Sequence, residues 1–455
     1  MDRISALLAR NVAETKFEDL SDAAIESARR ATLDTVGCIL AGSSVASIKP
    51  VVDLTTEWGG AEQSRLLGFS TKCPAPLAAW CNGMMARVLE IDDCTDFRPI
   101  HPTASIIPAL LAISEARGGI SGRDFLTAIA VAQDLIIRLG MAVRVDAMVS
   151  GRYNLFKIFA PAAAVSRALN LDVEQTHNAL GIAYSYACGE GQSAPEGATS
   201  LPLQQGTVAQ SALVAALLAE KGNTGSKDFL FGRAGYFNAF EPDPILPPLT
   251  DRLGSYYYGE EISVKPYAAC RCCHEAIELA QRYFKTSPDT SSLESIKITV
   301  APNIKDFVGG YIEEATNPYS TTAAQFSLPF TVAATLTRGD FFLRELQPDV
   351  IGNPHIRSLA QRVEVIADPE MATDFVLGRA VLEIKAKDRD PVILETSIPP
   401  GNPSKPLDFE DCMEKVLKCA EFSINPPGQG ELEIFFAKVK NLENLEDVAN
   451  LTEGL

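Results

Sequence analysis

The chain has 455 residues, of which 46% are apolar and 22% charged, and it carries a net charge of −18. That length exceeds what one ordinary core holds, so two domains are expected, and the composition argues against long disorder. The acidic balance disfavours nucleic acid, because no basic excess is present to displace counterions from phosphates, whereas an anionic substrate stays open through a local basic pocket.

The amino terminus, "MDRISALLARNVAETKFEDL", has acids early and no long apolar core, so it does not read as a signal peptide. Ile25, Ala28, Thr32, Val36, Ile39 and Leu40 then fall on one helical face, with Gly42 as a stop. "NGMMARVLE" continues as a helix that Asp92 and Asp93 are expected to end. Acids at a helix carboxyl end oppose the macrodipole. The segment Glu90–Ser105, "EIDDCTDFRPIHPTAS", therefore reads either as a solvated acidic loop or as the floor of a site.

"ASIIPALLAISEARGG" and "SGRDFLTAIAVAQDLIIRLG" read as a helical hairpin, with Gly118 and Gly119 ending the first helix and Ser121 capping the second. "LDVEQTHNALGIAYSYACG" and "TVAQSALVAALLAEKG" extend the helical run, the latter apolar almost all round as in a buried helix. Leu201 to Ala219 comes nearest to a membrane span. It contains Pro202, Gln204, Gln205, Gly206 and Gln210, however, and reads as a loop entering that buried helix, so no membrane attachment is expected.

The texture changes after about residue 285. Ile296, Ile298 and Val300 alternate with Lys297 and Thr299, "RVEVIAD" and "AVLEIKAK" repeat the period of two, and "KDRDP" before "VILETSI" predicts a hairpin turn. "IPPGNPSKP" then leads back to a helix in "DFEDCMEKVLKCAEF". The expected fold is mainly α. An all-helical domain over residues 1–265 and 405–455 is interrupted by a smaller α+β insert over residues 266–404.

Four histidines are present, His101, His177, His274 and His355. His177 and His355 read as surface residues, while His101 and His274 sit in richer company. In "VKPYAACRCCHEAIELA", residues 264–280, the cluster Cys270, Cys272, Cys273 and His274 invites a zinc reading, but no second ligand pair completes it. The plainer reading is a tight turn opening the helix "HEAIELAQRYF" with small thiols packed inside. Lys265, Tyr267 and His274 would then project at a helix entrance, a natural place for a carboxylate. The ten cysteines have no framework spacing, so reduced thiols in a cytoplasmic protein are expected. Nucleotide-binding, serine-hydrolase and zincin motifs are missing from the sequence.

With these residues in hand, the sequence resembles the MmgE/PrpD family, which includes 2-methylcitrate dehydratase, cis-aconitate decarboxylase and iminodisuccinate epimerase. The motifs that carry the resemblance are "NGMMARVLEIDD", "HPTASIIPALLAISEARGGISGRDFLTAI", "GTVAQSALVAALLAEKGNTG", "VKPYAACRCCHEAIE" and "NPYSTTAAQFSLPF". They occur in the family's order over most of residues 20–340. The resemblance implies a large all-helical domain with a smaller α+β lid domain, a homodimer, a site between the domains, and neither metal nor organic cofactor. It also implies a small carboxylate substrate that loses or gains a proton next to a carboxylate, with loss of hydroxide, loss of CO2 or reprotonation.

Such chemistry needs a base poised near neutral pH and cations that hold carboxylates and the developing enolate. On matching positions the resemblance assigns catalysis to Asp93, His101, Lys265 and His274, and substrate binding to Arg87, Tyr153, Lys157, Tyr267 and Cys270. Three positions depart from the family pattern. Arg87 and Gly151 stand where histidines are usual, and Leu201 stands where a lysine is usual. Leucine offers neither charge nor donor to a carboxylate. Either Arg87, Tyr153 or Lys157 compensates for a different substrate, or the chain binds a metabolite or partner protein without turnover.

Overall fold

The computed structural model describes residues 2–98, 100–145, 150–196, 198–287, 289–310, 315–371 and 377–455. The chain divides into two compact units. The first comprises residues 1–95, 99–262 and 408–455, the second residues 96–98 and 263–407.

The first unit is helical. Its longer helices are α1 (Asp2–Glu14), α2 (Asp22–Gly42), α3 (Lys49–Trp58), α4 (Ala75–Arg87), α5 (Thr103–Arg117), α6 (Gly122–Ala142), α7 (Phe159–Ala168), α8 (Val173–Tyr184) and α9 (Ser200–Glu220). The first of two more in this unit is Phe409–Ala420, and the second is Gln429–Lys440. Helices α5 and α6 form the expected pair. Gly118 takes a positive φ of 65° at the end of α5, and the Ser121 side chain accepts from the Asp124 amide to cap α6. Helix α6 is long and apolar enough to cross a membrane, yet 94% of its most apolar window is buried inside the protein. It is a core helix of the first unit.

Two expectations on this unit need correction. Helix α4 ends at Arg87, so Asp92 and Asp93 lie beyond it rather than forming its last turn. Glu90 adopts a positive φ of 55°, which turns the chain away from the helix axis and frees both aspartates from its dipole. Residues 201–205 are not a loop, because α9 already begins at Ser200. Pro202 is tolerated there, since the first turn of a helix has no intrahelical acceptors for its amides.

Helices α4 and α9 pack almost backbone to backbone. A Cβ on Gly206 would lie 2.2 Å from the Trp80 carbonyl oxygen, and one on Gly83 would lie 2.9 Å from the Gly206 Cα. Only glycine at this crossing permits so close an approach. The contact fixes Gln205, the neighbour of Gly206, against the start of α5, where its side chain donates to Ser105 Oγ at 3.2 Å.

The second unit carries a four-stranded sheet. Strands β1 (Leu293–Val300), β2 (Val363–Ala367), β3 (Ala380–Ala386) and β4 (Val392–Thr396) lie in the order β2-β1-β3-β4. The β1–β2 pair is parallel and the others antiparallel, with Ile298 opposite Val365 and Leu382. Ile296, Ile298 and Val300 are buried, as their alternation predicts. Asp388, at a positive φ of 57°, lies in the hairpin turn between β3 and β4. Helices α10 (His274–Thr286) and α11 (Leu328–Arg338) belong to the same unit.

Candidate active site

In the first unit, the segment after α4 converges with the segment before α7. Arg87, at the last position of α4, is buried and pairs through Nη1 with Glu90. The same nitrogen donates to Asp92 Oδ1 at 3.4 Å, while Nη2 lies 3.4 Å from both His101 Nε2 and the Tyr153 hydroxyl. Burial works against the Arg87 charge, but the two carboxylates outweigh it and hold the guanidinium ionised. Charge-assisted contacts of this kind fix the side chain in place.

His101 is oriented by two oxygens on one side. Its Nδ1 lies 3.0 Å from Asp92 Oδ2 and 3.1 Å from the Asp93 carbonyl oxygen. Two acceptors at Nδ1 and a guanidinium donor near Nε2 assign the neutral tautomer with the proton on Nδ1. Nε2 then keeps its lone pair, the arrangement a general base needs. The His101 carbonyl meets Gln205 Nε2 at 3.5 Å, which ties this residue to α9.

Asp93 is almost fully buried, and its Oδ1 accepts from the Thr103 amide at 3.1 Å. Burial, with Asp34 adding to it, pushes its carboxyl up to about 8, so the group is mostly protonated at neutral pH. The sign of the consequence follows from linkage. A raised carboxyl stabilises the fold below its unfolded value near 3.9, and that contribution is lost as pH rises toward 8. Asp93→Asn is therefore expected to gain stability relative to the parent as pH rises from 5 to 8, by on the order of 1 kcal/mol per pH unit. Thermal midpoints of both proteins at each pH would check this, and a constant gap would contradict it.

Tyr153 and Lys157 approach from the segment before α7, in which Asn154 takes a positive φ of 47°. Asparagine tolerates this conformation better than most residues. Lys157 Nζ sits 4.7 Å above the Tyr153 ring. Burial pulls its amine down to about 7, with Arg87 acting in the same direction and Cys188 and Glu190 opposing it. Ile100, His101, Ile136, Tyr153, Asn154, Lys157 and Gln205 line a small cavity, with room for about one water-sized guest. Of the departing positions, Gly151 has a positive φ of 69°, and buried Leu201 lies one helical turn before Gln205 on the same face of α9.

The second unit holds another buried polar group. Asp96, the fourth acid of the segment Glu90–Ser105, receives two bonds from Arg271, Nε to Oδ1 and Nη2 to Oδ2, each 2.8 Å. Asn402 adds a third at 2.7 Å. Burial alone would raise the Asp96 carboxyl, but these donors, Arg271 first, bring it below the ordinary range. Arg271 Nη1 lies 3.1 Å from His274 Nδ1, and His274 Nε2 lies 3.2 Å from the Ala269 carbonyl. Both ring nitrogens of His274 are thus engaged at the start of α10. Tyr267 packs its ring 5.1 Å from His274 and donates its hydroxyl to Gln281 at 2.7 Å. Lys265 is fully buried in this unit, and Cys270 is nearly so. Beside them burial pushes the Cys273 thiol well up. Among the described residues, no group of three or more His, Cys, Asp and Glu side chains is arranged to hold a metal ion.

The expected site residues thus fall into two sets. Arg87, Asp93, His101, Tyr153 and Lys157 belong to the first unit, and Lys265, Tyr267, Cys270 and His274 to the second. The sequence reading chose Asp93, whereas the carboxylate that reaches the His101 ring is that of Asp92. It also passed over Glu90, Gln205, Asp96 and Arg271. The local signal for Arg271 was its place inside "CRCC", read there only for its thiols. His177 packs against Phe229 at 5.4 Å, and His355 Nε2 lies 2.8 Å from the Thr290 hydroxyl.

The protein is mainly α, with one buried acid–histidine–arginine cluster in its helical unit and another in its α+β unit. The MmgE/PrpD N-terminal domain matches residues 6–247 and the MmgE/PrpD C-terminal domain residues 267–441, and the chain belongs to this family. It is 25% identical to the cis-aconitate decarboxylase-like protein oryM of Aspergillus oryzae, covering 98% of this chain and 96% of that one. A cis-aconitate decarboxylase of Aspergillus terreus is 27% identical, with 96% and 93% covered. The probable 2-methylcitrate dehydratase of Saccharomyces cerevisiae is 23% identical, with 82% and 75% covered.

Proposed function

We propose that the chain is a lyase of the MmgE/PrpD type that acts on a small polycarboxylic acid, with His101 moving the proton next to a carboxylate. The observation that carries this reading is the fixed imidazole, with Nδ1 held toward Asp92 and the Asp93 carbonyl and Nε2 left as the basic nitrogen. Arg87, next to Nε2, supplies positive charge where an enolate would develop.

Loss of CO2 is favoured over loss of water, because the decarboxylase relatives align over nearly the whole chain and the dehydratase over less of it. In a β,γ-unsaturated acid the bond to CO2 breaks, its electron pair forms a new double bond between the α and β carbons, and the former β,γ π pair moves to the γ carbon. His101 Nε2 first takes a proton from solvent, giving an imidazolium beside Asp92, and then delivers that proton to the carbon beside the remaining carboxylate. Dehydration needs the reverse transfer at the same kind of carbon, so one histidine serves either direction. The reading includes a homodimer, which light scattering would test as twice the 48.9 kDa of the chain.

Incubation with a panel of di- and tricarboxylates in D2O tests the function. Solvent deuterium is expected at the carbon next to a carboxylate in at least one substrate or product, read by NMR. A panel including cis-aconitate and 2-methylcitrate that shows neither exchange nor turnover would leave the reading without support. Tight binding without exchange would instead mark a metabolite-binding member.

A further inference from the structure

We infer that Lys157 is the group that receives a ligand carboxylate in the cavity of the first unit, and that it takes a proton from solvent as the carboxylate arrives. This rests on the functional reading above and deepens it, by assigning the anion contact and its proton linkage.

The geometry singles out this residue. Lys157 is 3% exposed, and its Nζ is buried without a hydrogen-bond partner. It lines the same cavity as His101, Tyr153 and Gln205. Arg87, the other cation at this place, is already engaged by Glu90 and Asp92. The cavity has the footprint of about one carboxylate oxygen, and the buried Lys157 Nζ on its wall makes no hydrogen bond.

A buried ammonium without a hydrogen-bond partner is costly, so burial favours the neutral amine. The charged groups around it decide the balance. Arg87 disfavours the ammonium, Glu190 and Cys188 favour it, the Tyr153 ring can accept it, and burial prevails to leave the amine titrating near 7. An incoming carboxylate supplies both an acceptor and the opposite charge. The amine then gains one proton and becomes an ammonium, and no covalent bond forms or breaks. Anion affinity should be level below pH 7 and fall about tenfold per pH unit above it.

Calorimetric titration of the full-length protein with cis-aconitate, in two buffers of different protonation enthalpy, tests the proposal. The parent is expected to take up about 0.9 proton per ligand at pH 8 and about 0.5 at pH 7. Lys157→Met should lose that uptake and bind at least about tenfold more weakly. Lys157→Arg should bind without Lys157-dependent uptake, because its guanidinium is already charged. Circular dichroism would establish that both variants fold. Binding or turnover with proton uptake unchanged in Lys157→Met would overturn this inference alone. Failure to bind or turn over cis-aconitate and 2-methylcitrate would overturn the functional reading and this inference with it.

Discussion

Replacing His101 by alanine is expected to lower kcat by about 10²- to 10⁴-fold while leaving the fold in place. The magnitude is that of a general acid–base group, and the tolerance follows from position. His101 borders a cavity rather than filling a close-packed layer, and its helix-proximal neighbours Thr103 and Ser105 hold their own bonds to Asp93, Thr35 and Gln205. Asp92→Asn should produce a smaller loss, because it weakens the orientation and charge at Nδ1 but leaves Nε2 present. A His101→Ala enzyme with parental kcat would remove the basis for the acid–base assignment. An Asp92→Asn enzyme as inactive as His101→Ala would show that the Asp93 carbonyl alone does not hold the His101 tautomer.

Replacing Lys415 by methionine is expected to cost about 3–5 kcal/mol of stability. Lys415 is buried, and its Nζ donates to Asp34 Oδ1 at 2.5 Å and to the Ile91 carbonyl at 2.6 Å. Burial opposes the Lys415 charge, yet Asp34 more than offsets this and raises the amine above its ordinary value. Removing the cation takes the Lys415 charge away from the buried Asp34 carboxylate and strips a donor from the Ile91 carbonyl, just before Asp92. Asp34 already pushes the Asp93 carboxyl up, so the damage reaches the site segment directly. The double variant Asp34→Asn, Lys415→Met removes the buried negative charge as well and should recover most of the loss. Denaturant titration of the single and double variants would check this. A single-variant cost below about 1 kcal/mol, or a double variant as unstable as the single, would contradict it.

Much of this architecture was legible from hydrophobic pattern. Helices α5, α6 and α9 are apolar on nearly every face because they lie inside the helical unit, and the period-two run Ile296–Val300 marked the central strand of the sheet. The acid-rich segment was legible as a place of interest but not as a geometry. Between α4 and α5 the chain has no period, and the positive φ at Glu90 resets the direction of every side chain that follows. Two adjacent aspartates therefore differ in a way their order does not reveal. Asp92 faces the His101 ring, while Asp93 turns its carboxyl to the Thr103 amide and offers His101 only its carbonyl.

The other blind spots have the same origin. Asp96 and Arg271 are 175 positions apart and meet in a bidentate pair that no local spacing announces. The family resemblance marks Lys157 for substrate binding, but nothing in "NLFKIF" announces its burial, which comes from the packing of α6, α7 and α9 around that segment. Leu201 remained visible as a departure from the family pattern, and its place one turn before Gln205 now locates that departure on the face of α9 that reaches the cavity.

The most direct test of the central claim is CO2 release from cis-aconitate by the purified protein, followed with the product's deuterium content in D2O. The account predicts CO2 release together with one solvent-derived deuterium on the carbon beside a remaining carboxylate, both lost in His101→Ala. Release of CO2 that is undiminished in His101→Ala, or no release and no exchange from the folded protein, would contradict it.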